Sequence, residues 1–255
     1  MIKESNTRRG FIRNAAVITG SFLLLDGCSG NSTVANNQST GQPAAEKEKK
    51  GGEKEVTAAE DLMREHGILR RALLIYGEAA VRLRQNTAGI PPDALLKTAN
   101  LFRTFGEDYH EKKLEEAIIF PTVKQKGGDA GSLADILTVQ HQRGREITDY
   151  IISVTNAGKI GANAGLLADT LYNFIRMYEH HAAREDTIVF PAWKDALSDE
   201  QYDELTDKFE DIEHEQFGED GFEDTEKQIS EIEGMMGLSD LSKLTAPAPP
   251  RPVGV

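Results

Sequence analysis

At 255 residues the chain can form one large domain or two small ones. Its net charge of −13 argues against nucleic acid and against charge-driven binding to anionic lipid. A single cysteine, Cys28, excludes an internal disulfide and leaves no thiolate nucleophile or cysteine metal site in the residues that follow it.

Residues 1–28 read as an export signal rather than as part of a fold. Thr7-Arg8-Arg9-Gly10-Phe11-Ile12-Arg13 has the twin-arginine pattern, and the apolar run from Ala15 to Leu25 is too short for a stable membrane span. The run ends in Leu25-Asp26-Gly27-Cys28, a lipobox-like segment whose cysteine would carry the lipid, although Asp26 is unusual in such a box. The expected location is the periplasm or cell envelope, with membrane contact only through a lipid anchor on Cys28. Cleavage before Cys28 removes four basic groups (Lys3, Arg8, Arg9, Arg13) and two acidic ones (Glu4, Asp26), taking the charge to −15. Residues 29–56 are polar and charged with little to bury, and read as a flexible linker.

Residues 57–245 carry helical patterns and no strand alternation. In the first helix, Ala58 to Arg84, Leu62, His66, Leu69, Leu73, Tyr76, Ala80 and Leu83 form one stripe at alternating steps of four and three. A second helix starts near Pro92-Asp93 and is stopped by Gly127-Gly128, with Ala99, Phe102, Gly106, His110, Leu114 and Ala117 on its inner face. The third, about Gly131 to Ala157, aligns Leu133, Leu137, His141, Gly144, Thr148 and Ile151. A link over Gly158–Gly165 leads to a fourth, whose stripe is Leu167, Leu171, Phe174, Tyr178, His181, Glu185 and Ile188. Ser198 with Asp199 and Glu200 starts a fifth helix that turns Tyr202, Leu205, Phe209 and Ile212 inward, and Gly218 to Gly221 separates it from a last one, about Phe222 to Met236. Residues 246–255 form a Pro-rich tail. The expected fold is all-α: an up-down-up-down four-helix bundle with additional C-terminal helices.

Each of the four long helices carries a histidine on its apolar stripe, where an unpaired polar group costs several kcal/mol. One His–Glu pair could satisfy itself by hydrogen bonding. Four converging histidines with carboxylates beside them suit iron, manganese or zinc, and the number of donors favours two ions over one. His180 falls off the stripe, and His214 reads as a solvated histidine on an acidic helix. Two segments also echo one another. Asp108 to Pro121 and Met177 to Pro191 both end in Phe-Pro, and aligning those ends pairs Glu115 with Glu185 and His110 with His180.

The leading histidine in MREHGIL, the two His…Glu…Phe-Pro segments and QHQRGRE between them resemble the bacterial hemerythrin-like (HHE cation-binding) family over about residues 60–235. The resemblance implies a non-haem di-iron centre (two iron ions, with manganese or zinc as substitutes) that binds O₂ or another small diatomic ligand, or responds to oxygen, redox state or iron. It implies His66, His110, Glu115, His141, His181 and Glu185 as metal ligands, with Glu115 and Glu185 as bridges. A binding protein is expected rather than an enzyme; the alternatives are a di-iron oxidase or peroxide- or NO-reducing enzyme, and a metal-free structural lipoprotein. Two positions depart from the family pattern. Four residues after His110 stands Leu114, so Glu115 needs a one-residue π-bulge near Lys112-Lys113, or else Glu111 or Glu116 takes its place. Four after His141 stands Arg145, where oxygen-carrying members have a second histidine.

Overall fold

The computed structural model describes residues 56–85, 90–156 and 160–250. The export pattern, Cys28, nearly all of the linker and the end of the tail lie outside the described residues. From Val56 on, the chain is one compact unit. Among the described residues there is no strand, and no helix is long and apolar enough to cross a membrane.

Four rods form the bundle. Helix α1 is Ala58–Gln85. Helix α2 is one rod over residues 92–126, made of Pro92–Leu101, a π-helical stretch Phe102–Ile119, and Phe120–Lys126. Helix α3 is Gly128–Asn156, and α4 covers residues 160–194 as Ile160–Arg184, a π-helical turn Glu185–Val189, and Phe190–Lys194. The turn between α2 and α3 is tight because Gly127 and Gly128 take φ of +78° and +72°, open to glycine at little cost. Helix α1 packs on α2 and α4, and α3 packs on α2 and α4, closing a bundle around one apolar core. Helix approach is tight at Gly106 and ordinary at Gly144. A Cβ on Gly106 would meet Leu69 at 3.0 Å, and one on Gly144 would meet the Phe174 ring at 3.5 Å.

The stripe of α1 is buried throughout. In α2 and α4 the periodic reading holds one step past the histidines, to the buried Leu114 and Glu185. Ala117 and Ile188, expected to face inward, are exposed, and Ile119 and Val189 are buried instead. Both shifts have one cause. Pro121 and Pro191 have no N–H and would press a ring on the carbonyl four residues back. The preceding turn therefore widens: the Phe120 N–H bonds the Glu115 carbonyl and the Phe190 N–H bonds that of Glu185, each five residues back. The buried face past Leu114 and Glu185 moves accordingly, from Ala117 to Ile119 and from Ile188 to Val189. Helix α4 also begins earlier than expected, since residues from Ile160 are helical where a link to Gly165 was read.

Helix α5, Asp199–Phe217, starts on a capping box between Ser198 and Gln201, and α6 is Gly221–Met236. Both lie outside the bundle, against α1 and α2. Trp193, which shows no signal in the sequence, is fully buried; its ring stacks on Phe209 at 5.5 Å and meets Tyr202 at 5.6 Å. This is what fastens α5 to the end of α4. Phe209→Ala should cost about 3–5 kcal/mol in urea unfolding followed by circular dichroism. The emission of the single tryptophan should shift to the red; unchanged emission and stability would mean that α5 is held elsewhere.

Candidate metal centre

The histidines of the four rods meet in two pairs. His66 Nε2 of α1 lies 3.0 Å from His110 Nε2 of α2, and His141 Nε2 of α3 lies 3.1 Å from His181 Nε2 of α4. The ring centroids are 4.7 and 4.8 Å apart, tilted by 54° in both pairs. Phe120 stacks on His141 and Phe190 on His66, each at 5.4 Å. The two halves of the centre thus repeat one another, as the two Phe-Pro segments do in the sequence.

Two carboxylates lie between the pairs. Glu115 places Oε1 3.3 Å from His110 Nε2 and Oε2 3.2 Å from His141 Nε2. Glu185 places Oε1 3.0 Å from His181 Nε2 and Oε2 3.5 Å from His66 Nε2. Each half therefore holds two imidazole nitrogens and one oxygen from each carboxylate. Ligands about 2.1 Å from a common ion, at angles near those of a tetrahedron or octahedron, are about 3.0–3.4 Å apart. Most of the observed spacings fall close to that range.

The outward ring nitrogens fix the orientation. His66 Nδ1 is 2.7 Å from Asp186, His110 Nδ1 2.6 Å from Glu65, and His141 Nδ1 2.8 Å from Glu116, while His181 Nδ1 is 3.0 Å from Gln140 Oε1. All four partners accept, so each Nδ1 donates outward and each Nε2 faces the centre, open to a proton or a metal ion. The acceptors are themselves held. Arg70 pairs with Asp186, Arg145 pairs with Glu116, and the Tyr109 hydroxyl donates to Glu65 over 3.0 Å. Arg70 and Arg145 each stand four residues after a histidine, His66 and His141, and each clamps the acid bound to that histidine. Arg145 is thus an orienting cation and not a misplaced ligand.

What the centre lacks is donors for its own acceptors. His66, His110, Glu115, His141, His181 and Glu185 are all at most 2 % exposed. None of the four oxygens of Glu115 and Glu185 has a hydrogen-bond partner. Such groups are costly to bury unless something binds them. Burial pulls the His110 and His141 imidazoles down, but the surrounding carboxylates outweigh it and hold both well above the ordinary histidine range. Burial likewise pushes Glu115 up, and the two imidazoles overcome it and hold its carboxyl well below the usual range. A cluster that draws in positive charge this way, with paired nitrogens and orphaned oxygens at ligand spacing, fits a pair of metal ions.

All six residues expected at the centre converge there. On α2, Glu115 is the carboxylate that lies between the two histidine pairs; Glu116 instead holds His141 from behind, and Glu111 faces Arg145 at 3.3 Å. The gap-free alignment that pairs His110 with His180 is off by one. The wider turn of α2 makes His181 the counterpart of His110, whereas His180 is exposed beside Arg184. His214 is partly exposed near Glu210, away from the centre. The residues that sequence reasoning missed are the acceptors, and they follow a rule. Glu65, Glu116, Gln140 and Asp186 are each the chain neighbour of a central residue and serve a histidine on another helix.

A helical bundle with histidines and shared carboxylates turned into its core has the makings of a metal-binding protein. A family model described as "Hemerythrin HHE cation binding domain" matches residues 57–193, and the chain belongs to that family. It is 41 % identical over 243 residues, 93 % of this chain and 90 % of theirs, to uncharacterized proteins of Mycobacterium bovis and Mycobacterium tuberculosis. No solved structure matches it.

One turn of α2 before His110, Glu107 is fully buried, accepting from the Thr148 hydroxyl at 2.6 Å and paired with Arg103 at 2.8 Å. Burial pushes its carboxyl from 4.5 up to about 7. Between those values the unfolded chain binds fewer protons than the folded one, so stability falls as pH rises and the loss is complete above about 7. It amounts to about 3 kcal/mol. Glu107→Gln, which stays neutral, should remove most of that fall when metal-free protein is unfolded in urea at pH 4 and pH 8. Parallel falls in wild type and variant would show that Glu107 does not titrate in this way.

Proposed function

We propose that the chain is an exported di-iron protein of the hemerythrin-like type that binds O₂ or a similar small molecule, or buffers or reports oxygen, redox state or iron. One observation carries the reading: two pairs of inward-turned Nε2 atoms share two buried carboxylates whose four oxygens have no other partner. A metal-free bundle would leave those groups unpaid for in hydrogen bonds, which speaks against a purely structural role. Mixed imidazole and carboxylate donors suit iron, with manganese or zinc as competitors. Export rests on the twin-arginine pattern at Arg8-Arg9, and attachment to the membrane on Cys28.

Bound there, a pair of iron ions supplies a redox-active centre for O₂. The chain's part is to hold it. Glu115 and Glu185 offer one oxygen to each half, His66, His110, His141 and His181 cap the ends, and Asp186, Glu65, Glu116 and Gln140 keep the rings from turning. Phe102, Phe174 and Tyr178 pack against one another on one side of the centre, with Tyr178 also stacked on His181, and exclude bulk water.

Purified protein loaded anaerobically with ferrous iron should hold about two irons per chain and gain a visible absorption band on exposure to O₂. Catalytic release or consumption of reduced oxygen species would point to an enzyme instead, and no binding of iron, manganese or zinc would refute the reading. His181→Ala should lose metal on the order of tenfold or more relative to wild type, whereas His180→Ala should not. Equal losses would mean that the inner face of α4 has been misassigned.

A further inference from the structure

Away from the centre, the outer edge of the bundle carries a cleft that the metal site does not use. It lies along the neighbouring helices α1 and α4, the short 3₁₀ turn Leu241–Leu244 forms part of its wall, and its volume is about 810 Å³. Leu74 and Gly77 of α1, Ile175 and Ala183 of α4, and Leu241 and Leu244 make it apolar. Leu74 is 68 % exposed, Leu241 77 % and Leu244 53 %, and hydrocarbon left bare in this way is stabilised when something covers it. Gly77 is helical, and a Cβ there would meet only Ile175, at 3.8 Å, so the α1 side of the cleft is open.

Size narrows the occupant. From Arg70 to Glu78 the α1 wall rises about 12 Å, roughly two turns. The volume falls inside the roughly 300–1,000 Å³ of small-molecule sites. A stable protein interface, about 800 Å² per partner, would have to run well past it.

Charge narrows it further. Of the carboxylates that line the cleft, Glu78 pairs with Arg82 at 2.7 Å, and Glu233 is held by two Arg71 nitrogens at 2.8 and 2.7 Å. Arg70 lines it too, but its guanidinium is turned to Asp186 behind His66 and is not free to take an anion. Glu179 is exposed and has no ion-pair or hydrogen-bond partner among the described residues. The cleft therefore sets one uncommitted negative charge beside an apolar wall. The net charge of −13 attracts cations to it and repels a second copy of the chain.

We propose that this cleft binds a small amphiphilic cation: an elongated apolar body between α1 and α4, against Leu241 and Leu244, with an ammonium or guanidinium group on Glu179. The site needs no metal in the bundle, so it stands or falls apart from the di-iron reading.

The test titrates the full-length protein by calorimetry with decylammonium and with decanoate, both below their micelle concentrations. Decylammonium should bind once per chain and about tenfold tighter than decanoate. Glu179→Lys, at an exposed position, should reverse that order. Gly77→Leu fills the cleft at a point where the added side chain has room at its root. It should weaken decylammonium about tenfold or more with the circular dichroism unchanged. Binding without saturation, equal affinity for the two probes, or an affinity unchanged in Gly77→Leu would overturn the proposal. So would a dimer in sedimentation velocity that Gly77→Leu dissociates and decylammonium leaves intact, which assigns the cleft to a second copy.

Discussion

The constraint that organises this molecule is the opposed orientation of the two nitrogens in each imidazole ring. Each of four buried histidines donates from Nδ1 to an oxygen behind it and turns Nε2 toward the centre. Two such nitrogens 3.0 Å apart repel unless something positive lies between them. The packing of α1 to α4 brings them together anyway, along with four orphaned carboxylate oxygens. That packing is bought with an apolar core in which large aromatic and aliphatic side chains are fully buried. The hydrophobic core thus holds in place a polar cluster that would not assemble alone.

A second constraint, from proline, sets the register. In α2 and α4 the glutamate lies six residues before a proline that cannot donate to the helix. The wide turn this enforces begins at the glutamate itself, whose carbonyl receives the Phe N–H five residues on. In α4 the widening starts after His181, so the ordinary four-residue step carries His181 to Glu185 at 3.0 Å. In α2 the π-helical stretch extends back through Phe102, and a five-residue step carries His110 to Glu115 at 3.3 Å. The same side-chain geometry is reached with different spacing in sequence.

This difference marks how far the sequence could be read. The fold and the four histidine-bearing stripes were legible because polar residues stood where helical period demanded apolar ones, and α1 needed no correction at all. Past Leu114 and Glu185 the turns widen, so Ala117 and Ile188 fall on the outer face, and the wider α2 makes His181, not His180, the counterpart of His110. Glu115 was reachable only by allowing a bulge. The acceptors behind the rings were illegible one helix at a time, because Glu65 serves His110 on α2 and Gln140 serves His181 on α4. Their signature, an acceptor next to each central residue, has meaning only once the helices are paired. Trp193 was silent for a similar reason: its partner Phe209 lies on a helix outside the bundle.

Arg145 shows how a departure from a family pattern can be misread when the site is treated as a list of ligands. Taken alone, it replaces an imidazole with a cation and makes the centre look deficient. Set beside Arg70, it is the second copy of a device: an arginine one turn after the histidine, gripping the acid that grips the ring. The device strengthens the acceptor behind each of those rings without adding a donor at the front. Each half then holds two imidazoles, and each of these arginines grips an acid behind a ring. Ala182 and Glu111 are where the otherwise matched halves part.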